Sequence, residues 1–591
     1  MNKLPIWDLS DLYKGINDKK ITKDLEIYKK ANLDFAKKYK GKVANLSAKE
    51  LARALKSLEE KATIAKKLGS FAYLNMSTQM NNAKAMAFYQ NTSERLTDYA
   101  KPSIFFSLEL NKVDEGKINE WLKDKDVSYY MPFIKTVRRY KKHELSEAVE
   151  ETLMEKSITS GNAWVRLYEE YSSRLRYTIK GKEYNDAQVQ QFLLGKDRNL
   201  RKTVGLEVNR VKVENADVLA FSYNMIVKDL GIEQEKRGYK YPMSVQNLNN
   251  NVDDKVVDVL VDSVRKNYKD ISHRFYKLKA KWLGLKKMEN WDRNAPLPFE
   301  NDKSYTWEDS VKIVLESYKE FSPKLYEVAK RFFENDWIDV PPRDGKTAGA
   351  FAVSVSAHHH PYLFLNFNGK SNDVKTLAHE LGHGCHYAFC KKQGELNDST
   401  PLILAEVASV FGEMLVFKSL LKKATDAKQR LALIAAKVND MLNTVVRQIA
   451  YHCFETRVHA ERKKGELSKE RLCQIWVEEI HTSLGDAVNI DDNSKYGWTG
   501  IGHFWYLPFY VYAYSFADCL VNSLYRIYQE KSVPDFEEKY LRMLSETGIK
   551  KYDDLLKPFG LDANKKDFWN KGLKVISGYI DELEKLDKEI S

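Results

Sequence analysis

The sequence predicts a mainly α fold, and three observations predict it. The stripes Leu25, Tyr28, Asn32, Phe35, Tyr39 and Phe568, Leu573, Ile576, Ile580, Leu583 recur at the spacing of amphipathic helices near the two ends of the chain. Residues 376–387, Thr-Leu-Ala-His-Glu-Leu-Gly-His-Gly-Cys-His-Tyr, carry histidines at helical spacing. Strand-like alternation of aromatic and branched residues shows at 362–367, where Asn368-Gly369 is a turn signal. A length of 591 residues with 43% hydrophobic content can bury an ample core. No repeat or low-complexity segment interrupts it, and the points 295–298 and 340–342 are short proline loops rather than linkers. A boundary is expected near residue 195, dividing an N-terminal helical lobe, 1–195, from a catalytic domain, 196–591.

In chain order, the strand at 362–367 comes first. In so helical a chain it has few partners, so it is expected to form a small sheet whose outer edge faces a groove, where an extended peptide is able to add as a further strand. Three histidines just before it, His358, His359 and His360, lack helical spacing and are not read as a metal site.

The next element holds a complete H-E-x-x-H. On a helix, His379 and His383 lie one turn apart on one face and can chelate one metal ion, while Glu380 can act as general base toward a water at that ion. The pattern points to a zinc peptidase. Chance alone puts H-E-x-x-H in roughly one chain in a hundred of this length, so supporting residues are needed. The longer metzincin motif is excluded, because position 386 is His and 389 is Phe.

A third ligand is expected from the next helix. Between Thr400-Pro401, a helix-start signal, and Lys422 runs the stretch 402–415, apolar except for the stripe Glu406, Ser409 and Glu413. Carboxylates on an otherwise buried helix are costly unless paired or bound to metal. Glu406 is therefore read as the third ligand and Glu413 as the partner that orients a histidine. His386 competes, but another turn places its ring about 4.5 Å further along the axis. It is assigned behind the ligands or on the groove wall, and Cys385 and Cys390 to packing.

Peptide hydrolysis also needs hydrogen-bond donors for the developing oxyanion. Residues 497–503 form a glycine-rich loop ending in His503, and an aromatic tract follows from 504 to 515. Two helix stripes are available there, Tyr506, Tyr510, Tyr514 and Phe509, Tyr512, Phe516. The pattern does not choose between them.

The stretches 345–351, 361–369 and 377–383, the opening 4–13, the helix with Glu406 and Glu413, and the tract after His503 together resemble oligoendopeptidase F of the M3 (thimet oligopeptidase) family of zinc metallopeptidases. The resemblance follows the family's order over nearly the whole chain. It implies a two-lobed helical peptidase with a deep groove for short peptides, one Zn2+ per chain on His379, His383 and Glu406, and Glu380 as the base. It favours Tyr512 as oxyanion donor, with His503, Tyr506 and Tyr510 on the substrate backbone. By the same resemblance Gly349, Ala350 and Phe351 contact substrate, although Lys346-Thr347-Ala348-Gly349-Ala350-Phe351 stands where the family often has Lys-Arg-Ser-Gly-Ala-Tyr.

The formal charge of +12, from 95 basic and 83 acidic residues, raises nucleic-acid binding as an alternative. Its distribution argues against that, since pairs such as Lys141-Lys142 and Lys463-Lys464 have acidic neighbours and no basic arm appears. A metal-binding but inactive scaffold is disfavoured, because ligands, base and donors are all present. The apolar window 504–517 is too short to span a bilayer, and the first residues lack a signal-peptide run. Five cysteines without C-x-x-C spacing fit reduced thiols. A cytoplasmic enzyme is expected, a monomer or weak homo-oligomer, with short peptides as substrates.

Overall fold

The stripe from Leu25 to Tyr39 is the buried face of the helix Lys19–Tyr39, with Ile21 added at its start. Asp18 caps that helix by accepting the Lys20 amide. The next helix, Ala48–Ser77, opens on a reciprocal capping box between Ser47 and Glu50. The computed structural model describes residues 4–299, 304–490, 492 and 494–590. Among them the chain is mainly helical, with one two-stranded and one three-stranded sheet.

Two units form, each assembled from three segments. The first is Met1–Lys141, Asp302–Leu420 and Lys531–Gly560; the second is Lys142–Asn301, Leu421–Glu530 and Leu561–Ser591. The boundary expected near 195 therefore lies inside the second unit. Tyr177, Ile179 and Val189 pack there with Val204, Val208 and Val211 of the long helix Arg198–Lys236. Apolar residues on either side of 195 bury one another, which removes any linker at that point.

In the first unit the small sheet is ordered Ile338–Asp339, Tyr362–Phe364, Phe351–Val353. The middle strand runs parallel to Ile338–Asp339 and antiparallel to Phe351–Val353. This corrects the expectation for 362–367. Tyr362, Leu363 and Phe364 are fully buried, so the strand is central and cannot offer a free edge. Trp7 packs against Tyr362 and Phe364, and the Tyr362 hydroxyl donates to the Asp8 carbonyl and Asp11 carboxylate. The terminal strand is Phe351–Val353, half-buried and beside the helix Ser371–Cys390.

In the second unit, the stripe that begins at Phe568 is the buried face of Lys566–Ile590. That helix packs on Tyr512–Glu530 and Ala427–Thr444. A hairpin, Tyr177–Ile179 with Lys182–Tyr184, turns through Lys180 and Gly181, both at positive φ.

Candidate metal centre

Ser371–Cys390 is one continuous helix, so His379 and His383 share a face as their spacing requires. Glu406 does not sit within a single helix. It stands at the junction of Leu402–Ala405 and Val407–Lys423, where its carbonyl still accepts the Val410 amide. The two helical stretches meet closely because residue 382 is glycine. A Cβ there would lie 2.6 Å from the Ala408 carbonyl oxygen and 2.7 Å from Ser409 Cα. The crossing brings the Glu406 carboxylate to the two imidazoles.

Three atoms converge. His379 Nε2 and His383 Nε2 are 3.2 Å apart, and each is 3.3 Å from Glu406 Oε2. Among the described residues this is the one group of histidine, cysteine and acidic side chains with the spacing of a metal site. The near-equilateral triangle fits a tetrahedral ion, for arms of about 2.0–2.1 Å give ligand edges of about 3.3–3.4 Å.

Neighbouring groups aim the ligands. His379 Nδ1 meets Glu413 Oε1 at 2.6 Å, which fixes the tautomer that leaves Nε2 free to ligate. Ser409 Oγ donates to Glu406 Oε2 at 2.8 Å. Burial opposes a charge on Glu406, but the bonds from His379 and His383 more than reverse this and hold its carboxyl well below the usual range. Burial likewise disfavours protonated His379, and Glu406 and Glu413 reverse it, raising its proton affinity. Glu380 is buried, and that burial pushes its carboxyl up.

His386 does not join the triangle. It is buried, with Nε2 2.9 Å from Thr547 Oγ1 and the Ala405 and Leu544 carbonyls within bonding reach, so it braces the residue before Glu406 and does not line a groove. Burial lowers its pKa to about 4. Cys385 and Cys390 are buried, as are the other three thiols, and all five are free. His359 is 2.7 Å from Ser356 Oγ and His360 is 2.9 Å from Asp11 while stacking on Trp337; neither shares a metal cluster.

The loop before the edge strand is pinned by Asn366, which donates to the Thr347 and Gly349 carbonyls. Lys346 is turned inward onto Asp339 at 2.6 Å, both side chains fully buried. Gly349 and Ala350 lead into the strand, and the Phe351 ring stacks on Phe364 and touches Tyr73.

The two stripes of the aromatic tract are placed differently, and Tyr512, expected as the oxyanion donor, lies in the core. Tyr512 has no exposed surface, and its hydroxyl accepts the Asn250 amide at 2.9 Å. Phe509 and Phe516 are buried with it. Around His503 stand the rings of Tyr506, Tyr510 and Tyr514, at 5.2, 5.5 and 6.1 Å, with Tyr510 parallel to the imidazole and Tyr506 48% exposed. The tract is not one helix. His503–Tyr506 and Tyr512–Glu530 are separated by a turn in which Phe509 has φ +60°.

Sequence reasoning missed Gly382, whose signal was its place inside the metal motif, and Tyr318, whose hydroxyl donates to the Ala378 carbonyl at 2.7 Å behind the helix. It also missed Tyr387, one turn beyond His383 and stacked near it at 6.2 Å, which helical spacing alone would have found.

A buried glutamate beside two histidines that converge with a second carboxylate, on a helical scaffold, fits the class of metallopeptidases. The family model for peptidase family M3 matches residues 191–575, and that for oligopeptidase F matches 109–177. The chain belongs to peptidase family M3 and is a metalloendopeptidase. The gap between those two matches falls near the expected boundary at 195, although the compact units divide the chain elsewhere. An oligoendopeptidase F homologue of Borreliella burgdorferi is 26% identical over 99% of both chains. Oligopeptidase PepF of Bacillus subtilis is 26% identical over 98% of this chain and 87% of its own. In fold, the chain is similar to a candidate peptidase of Chlamydophila abortus, with TM-score 0.85, 23% identity and 98% of each chain covered. Oligoendopeptidase F of Enterococcus faecium gives TM-score 0.74 at 21% identity, covering 95% of this chain and 98% of that one. No helix among the described residues is long and apolar enough to cross a membrane.

Proposed function

We propose that this metallopeptidase is a zinc-dependent oligoendopeptidase that hydrolyses internal bonds of short peptides, with one ion held by His379, His383 and Glu406. The observation that carries the reading is the triangle of 3.2, 3.3 and 3.3 Å between their ligating atoms. Two imidazoles and a carboxylate suit zinc. A zinc ion held there would polarise the scissile carbonyl and acidify a water.

The chain's own residues supply the rest. Glu380 takes the proton of the attacking water and returns it to the leaving nitrogen, from a buried position where its carboxyl binds a proton more readily than in water. Glu413 keeps the His379 ring in its ligating orientation. The terminal strand Phe351–Val353 receives the peptide backbone as an added strand, so that recognition depends little on side chains. His503, Tyr506 and Tyr510 contact the substrate backbone, and Tyr510 takes the oxyanion-donor role in place of the buried Tyr512. The oligopeptidase relatives are bacterial, and a cytoplasmic enzyme acting on peptides rather than folded proteins accords with them.

The test is cleavage of a quenched fluorescent peptide by the purified protein, with chelator and then with zinc restored. Activity is expected to stop and return, and a ten-residue peptide to be cut faster per bond than casein. Cleavage that survives full removal of metal overturns the zinc reading, and equal rates on casein overturn the size selection.

A further inference from the structure

The helix Val446–Arg462, in the second unit, buries three titratable side chains on one face: His452, Glu455 and His459. None belongs to the metal centre. Glu455 Oε2, His452 Nδ1 and His459 Nε2 are buried without hydrogen-bond partners, which is unusual for polar atoms in a core. Glu455 has no exposed surface, and its other oxygen, Oε1, accepts the Phe509 amide at 2.9 Å.

Phe509 is the residue at φ +60° in the turn between His503–Tyr506 and Tyr512–Glu530. A phenylalanine has no intrinsic preference for that left-handed region, so something must hold it there. Its ring is packed by the histidines that flank Glu455, at 5.9 Å from His452 and 4.6 Å from His459. Its amide, which a continuous helix would direct to the carbonyl four residues back, is taken by the carboxyl instead. The turn has a visible consequence. Immediately after it, Tyr510 lies parallel to His503, at 5.5 Å and 8°, whereas Tyr512 is turned into the core.

We propose that Glu455 is a positioning residue for peptide hydrolysis: by accepting the Phe509 amide it holds the left-handed turn that sets Tyr510 beside His503. This rests on the reading of that cluster as substrate-contacting. Burial pushes the Glu455 carboxyl up to about 8 and the imidazoles of His452 and His459 down to about 4 and 3, each toward its uncharged form. A neutral carboxyl is matched in shape and acceptor by glutamine, which makes the role separable from charge.

The experiment compares Glu455→Gln with Glu455→Met, which fills the space but lacks the oxygen acceptor, in the full-length, metal-loaded enzyme. Metal content, kcat and KM on a short quenched peptide, and amide hydrogen exchange across residues 503–514 are measured. Glu455→Met is expected to keep its metal, to lose ~10–10² in kcat/KM through a displaced Tyr510, and to exchange faster at 507–511. Glu455→Gln is expected to restore both exchange protection and activity. Wild-type kinetics in Glu455→Met, or a Glu455→Gln as impaired as Glu455→Met, overturns the proposal. If Glu455→Met does not fold, the wild-type exchange at the Phe509 amide and the Glu455→Gln kinetics decide, and an unprotected amide overturns it. Tyr510→Phe separates the two readings. If it is silent, the substrate-contacting cluster fails and this proposal with it; if it loses activity while Glu455→Met does not, only the role of Glu455 falls.

Discussion

The metal helix and the tyrosine segment place their side chains by opposite means. In Ser371–Cys390 the functional side chains sit on regular helix, and the spacing of His379 and His383 is enough to place them on one face. In residues 503–514 the helix is broken, and a residue in a left-handed conformation decides which rings are buried and which surround the histidine. Each region also has its own kind of support. The metal helix is backed by charged and hydroxyl partners that aim the ligands, Glu413 on His379 and Ser409 on Glu406. The tyrosine segment is backed by a buried cluster whose Glu455 carboxyl accepts its Phe509 amide. Regular structure thus makes a site readable from spacing, whereas irregular structure makes it depend on contacts distant in sequence.

The largest expected effect tests the first region. Glu380→Gln keeps the ligand triangle but cannot accept a proton, so kcat should fall by at least ~10²–10⁴ with metal content unchanged. Wild-type-like turnover in that variant would remove Glu380 from the mechanism.

Next comes the second region. Tyr510→Phe is expected to lower kcat by ~10²–10³ with little change in KM. Tyr512→Phe should leave kcat near normal and cost about 1 kcal/mol of stability, because the Asn250 amide loses its acceptor. Steady-state kinetics and thermal unfolding of the two variants decide. The opposite pattern would return the donor role to Tyr512 and imply that the segment rearranges with substrate bound.

A smaller effect separates ligands from their supports. Glu413→Ala should weaken metal binding by ~10–100-fold, since the His379 ring is no longer held. Glu406→Ala should weaken it further, and His386→Ala should leave it largely intact, for that ring bonds Thr547. Titration against a competing chelator ranks the three, and metal loss in His386→Ala alone would sink the ligand assignment.

The smallest concerns the helix crossing. Gly382→Ala places a methyl 2.6 Å from the Ala408 carbonyl oxygen, and overpacking of this kind costs ~1–3 kcal/mol. Thermal unfolding should show it. An unaffected melting temperature would mean that the helices separate freely and that glycine is not what sets their approach.

The sequence by itself determined the mainly helical class, the amphipathic ends, and which residues share the face of the metal helix, because helix period is a local property. Glu406 and Glu413 were legible for a related reason: acids on a buried stripe need a partner. Where the strand at 362–364 lies in its sheet was decided only by tertiary structure, since Ile338–Asp339 and Phe351–Val353 pair on its two sides and no pattern within the strand announces either partner. The same holds for the choice between Tyr510 and Tyr512. Both stripes are equally aromatic, and what selects between them is a carboxyl more than fifty residues earlier, Glu455, whose bond to the Phe509 amide lies in no local pattern.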